Sequence, residues 1–202
     1  MAVTVSVPRM SERAVFLDKD GTLIEDVPFN VEPERIRLTD GAGPALRMLA
    51  ADGYRLFVVS NQPGVAFGYF GTAALSDVER HIAQLLSPFD IVVDGWYWCT
   101  HAPADGCACR KPAAGLLRRA AREHCCDLRR SWFVGDILDD VEAGRAVGCG
   151  TVLVDSGGET EWHLSSERLP DHRVPNLLTA AERIVRPEVG SISGGSSRRA
   201  IG

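Results

Sequence analysis

Apolar residues fall in short continuous runs, separated by segments in which they recur every three or four positions. The runs Ala14–Leu17, Arg55–Val59, Ile91–Val93 with Trp96–Trp98, Trp132–Val134 and Thr151–Val154 show little apolar–polar alternation, which predicts strands buried on both faces. The periodic segments predict helices over Pro44–Ala51, Ala73–Leu86, Ala113–Cys125 and Asp140–Val147, with a shorter one from Leu177 to Ile184. In the second of these, Leu75, Val78, Ile82 and Leu85 share a face, and Thr72 stands where a cap is needed. Pro112 cannot continue a helix from upstream but can open the third. Gly148 and Gly150 punctuate the turn before the last strand. Strand–helix alternation predicts an α/β fold, a doubly wound parallel sheet with helices on both faces.

Residues 13–186 read as one domain. Residues 1–12 and 187–202 read as tails, the second holding the Gly- and Ser-rich stretch Gly190–Ser197 that cannot build a core. Among the 202 residues, 45% are hydrophobic and 24% charged, the balance of a soluble globular protein. No stretch approaches the roughly 18 apolar residues of a membrane helix, and Met1–Met10 has no long apolar region, so a cytoplasmic location without a membrane partner is expected. A net charge of −5 argues against nucleic acid as substrate. A monomer is expected.

Two strings carry chemistry. Asp18-Lys19-Asp20-Gly21-Thr22 follows the first apolar run, and Gly135-Asp136 follows the fourth. In an open parallel sheet, ligands bind outside the carboxyl ends of the strands, so the three acids converge where a hard cation and a phosphate can sit. Asp18 can attack phosphorus and become an aspartyl phosphate, while Asp20 can protonate the leaving alkoxide and then activate water. Magnesium held by Asp18, the Asp20 backbone carbonyl and Asp136 would let an anionic nucleophile approach an anionic phosphate. Asp139 and Asp140 leave two readings open. One of them binds metal or orients Lys111, or both cap the helix that follows.

A second constellation is Cys99-x-His101 followed by Cys107-x-Cys109, three sulfurs and an imidazole within eleven residues. Zinc favours such a set in closed tetrahedral geometry, which leaves no open position and makes the role structural. The intervening Ala102–Gly106 has turn chemistry and no core pattern, so the zinc would staple the loop. Cys125, Cys126 and Cys149 read as buried or half-buried thiols. Arg110 follows Cys109 directly and is a candidate for a second substrate phosphate.

Asp18–Thr22, Ser60-Asn61, Lys111 and Gly135-Asp136 together resemble the four motifs of the haloacid dehalogenase superfamily of phosphatases. The resemblance spans residues 14–155. It implies that Ser60 and Lys111 hold the transferring phosphoryl group and that Asn61 and Gln62 belong to the substrate-binding loop. About thirty-five residues separate the first two motifs and about fifty lead on to Lys111, which leaves no room for a separate cap domain. The zinc loop with Cys109-Arg110-Lys111-Pro112 is similar to two branches, the D-glycero-D-manno-heptose 1,7-bisphosphate 7-phosphatases and the histidinol-phosphate phosphatases. Ser60-Asn61-Gln62-Pro63-Gly64-Val65-Ala66-Phe67-Gly68 is more similar to the first. Asp26 matches a substrate-contacting position there, whereas Phe67 stands where that branch usually has Arg. The resemblance therefore implies magnesium-dependent removal of the 7-phosphate from a heptose bisphosphate. Histidinol phosphate or another small sugar phosphate is the alternative substrate, and a non-catalytic zinc-stabilised binding module is the reading of another class.

Overall fold

Strand β1 (Ala14–Leu17) has no exposed side chain, and its residues divide between two cores. Successive side chains point to opposite faces of a sheet. Val15 and Leu17 enter one core with residues of α1 (Ala42–Ala51), α2 (Thr72–Leu86) and α5 (Leu177–Val185). Ala14 and Phe16 enter the other with residues of α3 (Gly115–His124) and α4 (Leu138–Arg145). Phe16 stacks on Phe57 with centroids 5.4 Å apart. Truncating so buried a ring typically costs about 3–5 kcal/mol. The structure, a computed structural model, describes residues 12–186.

All strand pairs are parallel. β1 lies between β2 (Arg55–Asn61) and β4 (Trp132–Gly135), and β3 (Gly95–Cys99), β5 (Gly150–Val154) and β6 (His172–Val174) complete the order β3-β2-β1-β4-β5-β6. The chain winds outward on one side of β1 and then on the other, so the switch point falls between β1 and β4. Register aligns Leu17 with Val58 and Val134, and Asn61 with Cys99. Asp18, Ser60, Asp136 and the start of the cysteine loop therefore leave the sheet at one edge. The Asp18 N–H donates to the Val134 carbonyl at 2.9 Å, which fixes the first acid against β4.

The doubly wound parallel sheet is as expected, and among the described residues no element forms a second domain over that edge. Several local expectations differ. Ile91–Val93 is not a strand, and Val92 is exposed. β6 was not anticipated, because His172-Arg173-Val174 is short and half polar. Thr72 lies inside α2 and Gly71 takes the cap position. Pro112 does not open α3, which begins at Gly115, where a Cβ would stand 2.2 Å from the Ala108 carbonyl oxygen. Cys125 is exposed rather than buried, whereas Cys149 is buried and Cys126 half-buried. The expected tails lie outside the described residues except for Glu12. Its N–H donates to the Cys125 carbonyl at 3.2 Å and its carboxylate pairs with Arg55 at 3.1 Å, so it belongs to the folded part.

Candidate active site

The chain leaves β1 through a tight turn in which the N–H groups of Leu23 and Ile24 both donate to the Lys19 carbonyl, at 3.0 and 2.9 Å. Gly21 makes this possible. Its φ is +75°, and a Cβ there would stand 2.1 Å from Asp136 Oδ2. The turn sets Asp18 beside Asp136 and Asp140, all three buried, with one oxygen of each within 4.8 Å of the others. Lys111 is the cation among them. Its Nζ meets Asp18 Oδ1 at 2.5 Å, Asp140 Oδ1 at 2.6 Å and the Val59 carbonyl at 3.2 Å. Burial works against the lysine charge, but Asp140 and then Asp18 outweigh it and hold its pKa above the ordinary value. Three carboxylates share one ammonium, and Asp136 bears the excess. Burial first, then Asp18 and Asp140, push its carboxyl up to about 8. Two uncompensated negative charges in so small a space match a hard divalent cation with oxygen ligands.

Asp20 is turned away from this trio. Its Oδ1 pairs with the buried Lys19 at 2.9 Å and its Oδ2 accepts from Gln62 Nε2 at 3.0 Å. Burial raises its pKa, with Lys19 opposing and Asp18 adding to the rise. Asn61 uses both ends of its amide on the backbone of Lys111, donating to the carbonyl at 3.1 Å and accepting from the N–H at 3.0 Å. The two amide side chains at the end of β2, Asn61 and the adjoining Gln62, thus have different tasks. Asn61 fixes where Lys111 emerges, and Gln62 lies behind the acids.

A cavity of about 250 Å³ opens over these groups, lined by Asp18, Asp20, Ser60, Lys111 and Asp136, with Asp26 and Arg110 among its other walls. Arg110 Nη1 is buried without a hydrogen-bond partner. Asp139 also reaches the cavity but pairs with Arg168, which bonds Glu142 as well. Asp140 combines both readings left open by the sequence, since it pairs with Lys111 and accepts from the Ile137 N–H at 3.3 Å at the start of α4. Phe67 stands in an exposed aromatic cluster with Phe29 and Tyr69. Three participants were not anticipated. Lys19 is buried behind Asp20. Gly158 presses on Asp136, where a Cβ would again stand 2.1 Å from Oδ2. Glu159 accepts from the Leu138 N–H at 2.8 Å. The last two come from the long connection between β5 and β6, which has no periodic pattern; Lys19 could have been found as a lone cation between two acids.

The cysteine loop forms a second, separate cluster. Cys109 Sγ lies 3.4 Å from the sulfurs of Cys99 and Cys107 and 3.2 Å from His101 Nδ1, and Cys99 lies 3.6 Å from Cys107. These spacings are close to the edges of a tetrahedron whose centre is about 2.3 Å from each sulfur. No disulfide forms among the six cysteines. The four side chains could hold a metal ion, and Arg110 and Lys111 follow the last of them.

A family model described as HAD-hydrolase-like matches residues 108–180. The D-glycero-beta-D-manno-heptose-1,7-bisphosphate 7-phosphatase of Haemophilus ducreyi is 36% identical over 156 residues, covering 73% of this chain and 86% of that protein. The D-glycero-alpha-D-manno-heptose-1,7-bisphosphate 7-phosphatase of Campylobacter jejuni is 34% identical over 72% of this chain and 83% of its own length. Among solved structures, the D,D-heptose 1,7-bisphosphate phosphatase of B. bronchiseptica, complexed with magnesium and phosphate, superposes with a TM-score of 0.74 at 31% identity, covering 86% of this chain and 98% of that one. Identity of this extent over most of both chains, on a sheet that brings the four motifs to one edge, shows that the chain belongs to the haloacid dehalogenase-like phosphatases.

Proposed function

We propose that the chain is a magnesium-dependent phosphatase that removes the 7-phosphate of D-glycero-D-manno-heptose 1,7-bisphosphate through an aspartyl phosphate on Asp18. The observation that carries this reading is the position of Asp18, buried at the switch point between Lys111 and Asp136 and facing an open cavity. Asp18, Asp136 and the Asp20 carbonyl would hold magnesium, which supplies charge neutralisation between nucleophile and phosphate when bound. The residues fit that ion. Three buried carboxylates and the half-buried Asp20 face only two lysines, and glycines at 21 and 158 leave Asp136 Oδ2 room that a Cβ would take.

Asp18 attacks phosphorus as the bond to the leaving oxygen breaks, and Asp20 gives that oxygen a proton. Asp20 then takes a proton from the water that displaces Asp18. Ser60 and Lys111 hold the transferring phosphoryl oxygens, and Asn61 keeps Lys111 in place. Arg110, with its unpartnered buried nitrogen, receives the second phosphate. Asp26 accepts from the sugar hydroxyls. Cys99, His101, Cys107 and Cys109 would hold zinc, which would fix the segment that carries Arg110 and Lys111. A reducing, cytoplasmic setting would suit Cys99, Cys107 and Cys109 as thiolate metal ligands.

The test is phosphate release from the heptose 1,7-bisphosphate, from histidinol phosphate and from simple sugar monophosphates, with and without magnesium. Preference for the bisphosphate, with one phosphate released per molecule, supports the reading, as does loss of all turnover in a folded Asp18→Asn variant. Preference for histidinol phosphate would move the substrate to the neighbouring branch. Turnover by Asp18→Asn within a few-fold of wild type would remove the nucleophile.

A further inference from the structure

The carboxyl group of Asp20 is gripped from both sides, and we infer that Gln62, with Lys19 opposite it, is a positioning residue for the two proton transfers. The inference rests on the acid–base reading of Asp20 given above. Gln62 is buried, 5% exposed, and is not among the residues that line the cavity. Its Nε2 gives one hydrogen to Asp20 Oδ2 at 3.0 Å and the other to Ser60 Oγ at 2.9 Å. An amide nitrogen has two hydrogens, and both are used. The opposite amide orientation would set a carbonyl oxygen against a carboxylate, so the neighbours decide which way the group points. Its backbone is held too, by donation to the Cys99 carbonyl at 2.7 Å.

Two consequences follow. Both oxygens of Asp20 have donors, Lys19 on one and Gln62 on the other, which fixes the plane of the carboxyl group. Ser60 Oγ accepts from Gln62, so its own hydrogen is left for the cavity, where a phosphoryl oxygen would take it. One side chain therefore ties the group that binds the phosphate to the group that moves the proton. In the first step the Asp20 proton goes to the leaving oxygen as the Asp18–phosphorus bond forms and the phosphorus–sugar oxygen bond breaks. In the second, Asp20 takes a proton from water as the water oxygen bonds to phosphorus and the Asp18–phosphorus bond breaks. A misplacement of about 1 Å can cost roughly 10²-fold in such a step.

The test is Gln62→Met, similar in length and without donors. With the sugar phosphate, kcat is expected to fall about 30–100-fold while KM changes less than about 3-fold. With p-nitrophenyl phosphate, whose phenolate leaves without a proton, a burst of about one product per chain should precede a slow steady state, because only the hydrolytic step still needs Asp20. In an Asp20→Asn background, Gln62→Met and Lys19→Met should each change kcat less than about 3-fold. A change confined to KM, a burst slowed as much as the sugar phosphate, or an undiminished effect in the Asp20→Asn background would overturn the inference. Turnover by Asp18→Asn would instead sink the underlying mechanism, so the two failures are distinguishable.

Discussion

Replacing Asp136 by Asn should make the magnesium-free protein more stable while abolishing its response to magnesium. Asp136 sits with Asp18 and Asp140 around a single lysine, and its carboxyl is pushed up to about 8, by burial first and then by its two acidic neighbours. The sign follows from linkage. Between pH 4 and 8 the folded state holds a proton that the unfolded chain has released, so stability falls as pH rises through that window. Each unit of such a shift is worth about 1.4 kcal/mol. Lys111 lies close enough to return part of the repulsion, so we take about 2 kcal/mol as what an amide relieves at pH 7.5. In a chain of this size that raises the Tm by roughly 4–8 °C. The assay is thermal unfolding by circular dichroism after magnesium is removed by gel filtration, without a chelator that would strip the cysteine cluster. Wild type should then gain about 2.7 kcal/mol from magnesium at 100 times its Kd, and Asp136→Asn should gain nothing. A variant that melts below wild type without magnesium, or that responds to magnesium as wild type does, would refute the charge argument.

Three further outcomes follow from the same geometry. Gly158→Ala puts a Cβ 2.1 Å from Asp136 Oδ2, so half-saturating magnesium should rise about 10-fold or more with a Tm within about 3 °C of wild type; unchanged magnesium dependence would show that the loop simply moves aside. Arg110→Ala should raise KM for the bisphosphate about 10–100-fold and leave a monophosphate within about 3-fold, since a contact made equally in ground and transition states does not alter kcat. Equal loss on both would end its role as the second-phosphate clamp. Cys107→Ser should lower bound zinc from about one per chain and depress the Tm by several degrees, checked by elemental analysis and calorimetry; full zinc content in the variant would place the metal elsewhere.

The clustering of Asp18 and Asp136 at the sheet edge was legible because each follows a strand directly. A buried parallel strand ends where its apolar residues end, and the next side chain must emerge at the ligand-binding edge. Asp18 after Leu17 and Asp136 after Gly135 need no tertiary information beyond strand order. The cysteine cluster was legible for another reason, since four soft or borderline ligands close together in sequence can meet without help from the rest of the fold. What stayed hidden depends on contacts across the chain. Asp139 and Asp140 are neighbours with the same local chemistry, and partners distant in sequence separate their roles, Arg168 for the first and Lys111 for the second. Gly158 acts on Asp136 and Glu159 on the start of α4, both from a connection whose sequence has no period. β6 is a strand because Val152 and Val154 offer it an edge to pair with, while its own three residues have little strand character.

The distribution of cations explains why these acids can coexist. Most of the carboxylates near the cavity contact a cation, and Asp136 is the buried one without a lysine or arginine of its own. Lys19 neutralises Asp20, Lys111 answers Asp140, and Arg168 answers Asp139. Lys111 also touches Asp18, but one ammonium cannot balance two carboxylates, so among Asp18, Asp20, Asp136 and Asp140 two charges remain. A third lysine in this cluster would stabilise the metal-free fold and remove the reason for a divalent ion to bind. Arg110 is the opposite case, a cation beside the same cavity with a buried nitrogen that no described residue satisfies. On the proposed reading, a divalent metal would offset the deficit of positive charge at the sheet edge, and a second substrate phosphate would meet the free guanidinium nitrogen of Arg110 one step further out.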